Sequence, residues 1–229
     1  MKNVERTDSI NHGEIRKRRI LVVDDHPIFR QGITQVINAE SDLVVCADVP
    51  AGEDAIDALP MLKPDLIILD ITLKTMSGIE LVKIIKKKAP RLPVLVLSMH
   101  DESLYAERAM RAGASGYIMK QESAERVLGA IRKVLAGELY ISPTMGSHMV
   151  RRFVNGRKDH SPLEKLSDRE LEVLTLIGRG HGTREIAETL GLSIKTIESH
   201  RLHIKEKLEF RTAPEMVRFA VQWFNQARA

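Results

Sequence analysis

Five short apolar runs follow one another between Ile20 and Ala136, separated by segments whose apolar residues recur at helical spacing. The runs are Ile20–Val23, Leu43–Ala47, Leu66–Leu69, Val94–Leu97 and Tyr117–Met119. Each is too short for a helix, rich in Val, Ile and Leu, and bounded by Asp, Pro, Ser or Gly. That is the pattern of strands buried on both faces. Between them, Ile79, Val82, Ile84 and Ile85 form one helical stripe with Lys86 to Lys88 outside it. Val127, Leu128, Ile131, Val134 and Leu135 form another, closed by Gly137. Five βα units in succession predict an open, doubly wound parallel sheet with helices on both faces.

An open sheet of this kind binds ligands beyond the carboxyl ends of its strands. Asp24 and Asp25 end the first run and Asp70 ends the third, so three carboxylates face one crevice. They repel one another and cannot all stay ionised without a cation. Hard oxygen donors that leave room for water and a phosphoryl group suit Mg²⁺. Ser98 ends the fourth run and Lys120 the fifth, adding a hydroxyl and an ammonium to the same rim. Together these groups can receive a phosphoryl group on a carboxylate and neutralise its oxygens. Asp25, just before "HPIF", could instead be a helix cap. For Asp70 a cap is less natural, because the next helical pattern begins only near Ser77 or Gly78.

The motifs "VVDDHP", "DLIILDITLKTMSG", "VLSMHD" and "GASGYIMK" stand in order across residues 19–138. This stretch resembles the receiver domain of bacterial two-component response regulators, which implies a flavodoxin-like (βα)5 fold. The resemblance implies Asp70 as phosphoacceptor, Asp24, Asp25 and Asp70 as Mg²⁺ ligands with the Thr72 carbonyl, Lys120 as phosphate partner, and Ser98 and Tyr117 as a coupled switch. It also implies a sensor histidine kinase as phosphodonor. On phosphorylation Ser98 and Tyr117 would be drawn inward. The family often carries Met-Pro after its phosphoacceptor, whereas this chain has Leu73-Lys74, a change that would loosen the loop locally.

Past Gly137 the composition changes. Residues 139–165 are rich in Gly, Pro, Ser, Arg and Lys and read as a linker, with one amphipathic piece near Met149 to Val154. Order returns at "LSDRELEVLTLIGRG", where Ser167 and Glu170 have capping-box spacing and Gly178 or Gly180 marks a stop. "TREIAETLGLSIKTIESHRLHIKEKL" then reads as a short helix, a turn at Gly191–Ser193, and a longer helix from about Ile194. Inner faces at Ile186, Ala187 and Leu190 and at Ile197, Ile204 and Leu208 give helix-turn-helix grammar. Lys195 and Thr196 at the start of the second helix suit phosphate contacts. Glu198, Ser199 and Leu202 lie on a different face from the inner stripe and can reach base edges, with His200 and Lys205 beside them.

Residues 166–229 resemble the LuxR-type (NarL/FixJ) C-terminal domain, a small all-α four-helix module. The resemblance implies double-stranded DNA as partner and a dimer contact from the last helix, Ala213 to about Asn225. Core packing is an equally good account of Trp223. "HGT" at His181–Thr183 and Glu198 depart from the usual pattern, the latter at a position often basic in relatives. Eleven Lys and Arg face ten Asp and Glu over residues 161–229. So weak a field predicts modest affinity per copy and binding as a homodimer once phosphorylated.

The wider composition bounds the rest. In 229 residues 43% are hydrophobic and 29% charged, with a net charge of +4. No apolar run approaches the roughly 20 residues that span a bilayer. The polar residues 1–18 read as a disordered extension without the apolar core of a signal peptide. A single cysteine, Cys46, excludes an intrachain disulfide and reads as a small core residue. A cytoplasmic regulator without membrane partners fits these features. One rival is an aspartate-phosphorylating hydrolase, which usually carries a second carboxylate two residues after its nucleophile. That position is Thr72, so turnover of an external substrate is not expected. A second rival keeps DNA binding and replaces phosphorylation by a ligand or partner protein.

Overall fold

The computed structural model describes residues 16–99, 102–154 and 162–226. Five strands alternate with five helices: β1 (Arg18–Val23), α1 (Pro27–Asn38), β2 (Leu43–Val49), α2 (Gly52–Leu62), β3 (Leu66–Leu69), α3 (Gly78–Lys88), β4 (Val94–Ser98), α4 (Glu102–Arg111), β5 (Gly116–Met119) and α5 (Ala124–Leu135). The strands are parallel in the order β2-β1-β3-β4-β5. The chain therefore reverses its winding between β1 and β3, where an open sheet leaves a crevice at the strand ends. β1, β3 and β4 are almost wholly buried, which explains their unbroken apolar sequences.

Alternate strand residues serve opposite faces. Ile20, Val22, Ile68, Leu95 and Leu97 pack with Ile33 and Ile37 of α1 and Val127, Ile131 and Val134 of α5. Leu21, Val23, Ile67, Leu69, Val94 and Val96 pack beneath α2, α3 and α4. The second cluster does not stop at the receiver-like half. It continues into Leu163, Leu166, Leu171 and Leu174, so both halves share apolar packing.

The linker is more structured than its composition predicts. It contains α6 (Pro143–Val154), longer than the short amphipathic piece in the sequence, and a 3-10 turn (Pro162–Lys165). Met145 of α6 and Leu163 of the turn are buried. Four helices follow: α7 (Asp168–Gly178), α8 (Thr183–Leu190), α9 (Ile194–Lys207) and α10 (Ala213–Gln226). Ser167 and Glu170 close a capping box at α7, with Ser167 N donating to Glu170 Oε2 (2.7 Å) and Glu170 N to Ser167 Oγ (3.2 Å). α8 ends at Gly191, whose φ of 62° is left-handed, and the Ser193 hydroxyl caps α9 by accepting from Thr196 N (3.0 Å). A Cβ at Gly178 would collide with the Ala220 carbonyl and Phe224, so this glycine permits close packing of α10 on α7.

Arg18 already belongs to β1, and residues 1–15 of the N-terminal extension lie outside the described residues. Cys46 is half-buried at a register shift between β1 and β2, its thiol donating to the Ile20 carbonyl (3.3 Å). Among the described residues no helix is long and apolar enough to cross a membrane.

Candidate functional site

Strand register brings the acidic residues together. Val23 pairs with Leu69 across β1 and β3, so Asp24 and Asp70 leave the sheet side by side, with Asp70 N donating to the Val23 carbonyl (2.9 Å). Lys120 follows β5, and its long stem reaches back past β4 to both acids. Its Nζ lies 2.6 Å from Asp24 Oδ2 and 2.7 Å from Asp70 Oδ2, and 4.4 Å from the Phe29 ring centre. All three charged side chains are buried. Burial pushes the Asp70 carboxyl above its ordinary pKa, Lys120 opposes that rise, and the Asp24 charge adds to it.

Asp25 completes the acidic set at the edge of the pocket. Its Oδ1 is buried and accepts no hydrogen bond, although His26 Nδ1 lies 2.8 Å away without hydrogen-bond alignment. One atom of each of Asp24, Asp25, His26 and Asp70 lies within 4.8 Å of the others. A buried carboxylate oxygen with unused lone pairs, beside two further carboxylates, fits a hard divalent cation. The sequence gives no warning of His26. Its position follows from the turn after Asp25, where His26 N donates to Asp24 Oδ1 (2.9 Å).

The loop after Asp70 is shaped by a glycine. Gly78 N donates to the Ile71 carbonyl (2.7 Å), and a Cβ there would collide with the Asp70 carbonyl. Thr72 N donates to Asp70 Oδ1 (3.3 Å), while Ser77 caps α3. The Leu73-Lys74 segment is not loosened by the missing proline. Leu73 is fully buried, its carbonyl accepts from Arg169 Nη1 (3.3 Å), and Thr75 N donates to the Leu190 carbonyl (3.4 Å). Contacts from the helical half hold this loop, and Thr75 adopts a left-handed φ of 72°, costly for a β-branched residue.

Ser98 is buried at the end of β4, and its carbonyl accepts from Lys120 N (2.8 Å). Tyr117 is already buried, at 1% exposure, and packs in the cluster beneath α4. The aromatic that links the two halves is another residue, Tyr105 of α4. Thr175 Oγ1 donates to the Leu171 carbonyl (2.7 Å), which leaves the Tyr105 hydroxyl as donor in its 2.9 Å bond to Thr175 Oγ1. Burial pushes the Tyr105 hydroxyl pKa up, so it stays protonated. Nothing in the sequence separated Tyr105 from an ordinary helix residue.

Arg108, one turn on, binds the start of the helical half. It donates to the carbonyls of Leu163 (2.5 Å) and Leu166 (2.9 Å) and to Asp168 Oδ1 (3.2 Å). Lys83 of α3 meets the other oxygen of Asp168 at 2.8 Å. Nearby, Glu172 is buried against Arg169 at 2.6 Å, and burial raises its carboxyl pKa against the pull of Arg169. The result is a roof over the acidic pocket. A cavity of about 220 Å³ is lined by Asp25, Asp70 and Met99 below and by Glu172, Arg179 and Leu190 above.

On α9, Ile197 and Ile204 are buried, as the inner stripe predicts. Lys195, Glu198, Ser199 and Leu202 are exposed, and Leu202 at 52% is unusually open for its type. Thr196 and Lys205 are half-buried at the margins of that face. Thr196 Oγ1 shares a 2.7 Å bond with the capping Ser193. His200 turns towards Glu170 of α7, and burial lowers its pKa. Like Thr196 and Lys205 it is half-buried rather than exposed. Trp223 is partly buried against the core, while Val217 and Val221 of α10 are each 36% exposed.

Comparison with known proteins agrees with this geometry. The response regulator receiver domain family matches residues 20–132, and the bacterial regulatory proteins of the luxR family match residues 164–220. The oxygen regulatory protein NreC of Staphylococcus carnosus is 35% identical over 210 residues, covering 89% of this chain and 97% of that protein. RcsB from Salmonella enterica serovar Typhimurium, solved bound to promoter rprA with the phosphomimetic BeF3-, is 25% identical. It superposes with a TM-score of 0.60 over 90% of this chain and 99% of that one. A LuxR-family two-component response regulator from Aurantimonas is 32% identical with a TM-score of 0.56, covering 60% of this chain and 99% of that one. A receiver fold, a helix-turn-helix module and relatives matched along nearly their whole length lead to one assignment: the chain belongs to the two-component response regulators of the NarL/FixJ type, transcription regulators that join a receiver to a LuxR-type DNA-binding domain.

Proposed function

We propose that Asp70 accepts a phosphoryl group from the phosphohistidine of a sensor histidine kinase, and that this modification controls binding of a homodimer to double-stranded DNA. The observation that carries the reading is the meeting of Asp24, Asp70 and Lys120 within 2.7 Å beside the unpartnered buried oxygen of Asp25. In transfer, an Asp70 carboxylate oxygen bonds to phosphorus while the phosphorus–nitrogen bond breaks and its electron pair leaves with the imidazole. Lys120 neutralises a phosphoryl oxygen, and Ser98 at the rim hydrogen-bonds another. Asp24, Asp25, Asp70 and the Thr72 carbonyl would hold Mg²⁺, which supplies further charge neutralisation at the phosphoryl oxygens. The chain modifies its own aspartate and turns over no external substrate. Kinase and DNA both place it in the cytoplasm. The domains run 19–138 and 166–229, joined by residues 139–165.

The helical roof explains how one event affects the other. The helical half narrows the approach to Asp70, which is 3% exposed, so transfer is favoured when the two halves part. A phosphoryl group adds about −1.5 to −2 charges at neutral pH. Placed in that cavity it meets the Glu172–Arg169 pair and Arg179, so its added charge alters the balance that holds the roof closed. The reading face of α9 stays exposed in the closed form, so closure does not act by masking it. What phosphorylation changes is dimer formation, with Val217 and Val221 of α10 supplying an apolar contact. Lys195, Thr196 and Lys205 then meet phosphates, and Glu198, Ser199 and Leu202 meet base edges.

Incubation with acetyl phosphate and Mg²⁺ tests the reading. The native chain takes up label at one site, Asp70→Asn takes up none, and labelling increases DNA affinity and dimer content. Label retained in Asp70→Asn overturns the assignment, and full labelling without a change in DNA affinity favours a ligand or partner as the signal.

A further inference from the structure

A second set of ligating side chains meets in the DNA-binding half. Glu170 of α7 and His200 and His203 of α9 each offer a donor atom within 4.8 Å of the others. The arrangement follows from local structure. His200 and His203 are three residues apart on one helix and so share a face. Glu170 sits at the third position of α7, where the capping box holds its side chain, only 4% exposed, against α9.

The two carboxylate oxygens differ. Oε2 receives the short bonds, from Ser167 N at 2.7 Å and Lys207 Nζ at 2.6 Å. Oε1 instead faces His203 Nδ1 at 3.7 Å, too long for a hydrogen bond. Tetrahedral metal bonds of ~2.0–2.2 Å put neighbouring donor atoms ~3.3 Å apart, so the triad closes with small side-chain rotations. His203, 54% exposed, is free to make them. The geometry points to a site for a divalent transition metal of the zinc class, bound by Glu170 Oε1 and the His200 and His203 imidazoles, with solvent completing the coordination.

Two nitrogens and one oxygen select such an ion over Mg²⁺, which prefers oxygen throughout. The Lys207 ammonium on Oε2 repels a dication, so affinity is weaker than at a closed cysteine site. The ion would join α7 to the reading helix beside Thr196 and Ser199, and His200 would act as a ligand rather than a base reader. None of this depends on phosphorylation of Asp70.

The test is titration of the full chain with Zn²⁺ by calorimetry and with Co²⁺ by visible absorption, in excess Mg²⁺. The native chain develops the intense bands of a low-coordinate nitrogen-containing cobalt site. Those bands survive in an Asp24→Asn/Asp25→Asn variant, which impairs the acidic pocket beside His26. His203→Gln and His200→Gln each abolish them and weaken Zn²⁺ binding by more than the ~10–100-fold cost of losing an outer-shell partner. Circular dichroism checks that the variants fold, and half-exposed His203 is the safer of the two. Unchanged spectra and Zn²⁺ affinity in His203→Gln overturn the proposal, as does loss of the bands in the Asp24/Asp25 variant alone.

Discussion

Arg108→Ala tests whether the roof over Asp70 controls access to it. The guanidinium joins α4 to the 3-10 turn and to the start of α7 through two carbonyls and the Asp168 carboxylate. A hydrogen bond with a charged partner contributes about 1.5–3 kcal/mol. The three share one side chain and do not add fully. Lys83 still holds the other Asp168 oxygen, and Leu163 borders an open cleft from which water can replace part of the loss. A net weakening of about 2 kcal/mol is therefore reasonable for the closed form, equivalent to ~30-fold in the opening equilibrium. If transfer proceeds from the open form, the initial rate of labelling by acetyl phosphate rises by about the same factor. Tyr105→Phe removes one neutral bond and leaves Thr175 bonded to Leu171, for about 0.5–1.5 kcal/mol and a smaller rise in rate. The assay follows labelling against time by mass spectrometry at limiting donor, with hydrogen exchange across α4 and α7 reporting opening. Faster exchange in Arg108→Ala with an unchanged labelling rate would refute the reasoning.

Three further outcomes follow from the same geometry. Asp70 has a folded pKa raised by burial above 3.8, so its protonated form is the one favoured by folding; its contribution is most favourable below that value and is lost as pH rises through the raised folded pKa. Asp70→Asn should thus be more stable than the native chain at neutral pH without Mg²⁺, with the difference shrinking towards acid pH and reversing in saturating Mg²⁺, as read by urea unfolding. Gly78→Ala forces the loop away from the Asp70 carbonyl and should cost about 1–3 kcal/mol in urea unfolding while slowing labelling at Asp70. Lys195→Ala should lower DNA affinity evenly across sequences and reduce the salt dependence by about one counterion, whereas Glu198→Gln should change the ranking of operators, as read by binding to variant duplexes at several salt concentrations.

The receiver half was legible because its signals are local and repeated. Five apolar runs set the strands, and their parallel pairing carried Asp24, Asp70, Ser98 and Lys120 to one edge without knowledge of any loop. The caps of α7 and α9 were legible for the same reason, since Ser167, Glu170 and Ser193 act within one helical turn. What escaped depends on distant pairs. Nothing near Tyr105 or Arg108 in sequence indicates partners 70 and 60 residues away. Leu73-Lys74 looked like a weakened loop because its support comes from Arg169 and Leu190, far along the chain. The linker misled through composition, since α6 needs only a few buried apolar residues such as Met145 to fold against α4.

The energetics of the pocket and of its roof bear on each other. Removing one partner from a buried charge pair costs about 3–5 kcal/mol, so Lys120 is bound strongly to the ground state as well as to any phosphorylated state. A site with only that lysine would be neutralised at rest and weakly responsive. Asp25 adds a third carboxylate, whose buried Oδ1 accepts no hydrogen bond and lies 2.8 Å from His26 Nδ1. In the roof the buried Glu172 is paired with Arg169 rather than solvated. Closure brings the acidic pocket up against the Glu172–Arg169 pair and Arg179 across a small cavity, held by apolar packing and by clamps such as Arg108 and Tyr105. A cation in the pocket would lower the mutual repulsion of Asp24, Asp25 and Asp70, and a phosphoryl group would add charge to it. On the proposed reading, one covalent event at Asp70 then shifts the closed state without any rearrangement of the sheet.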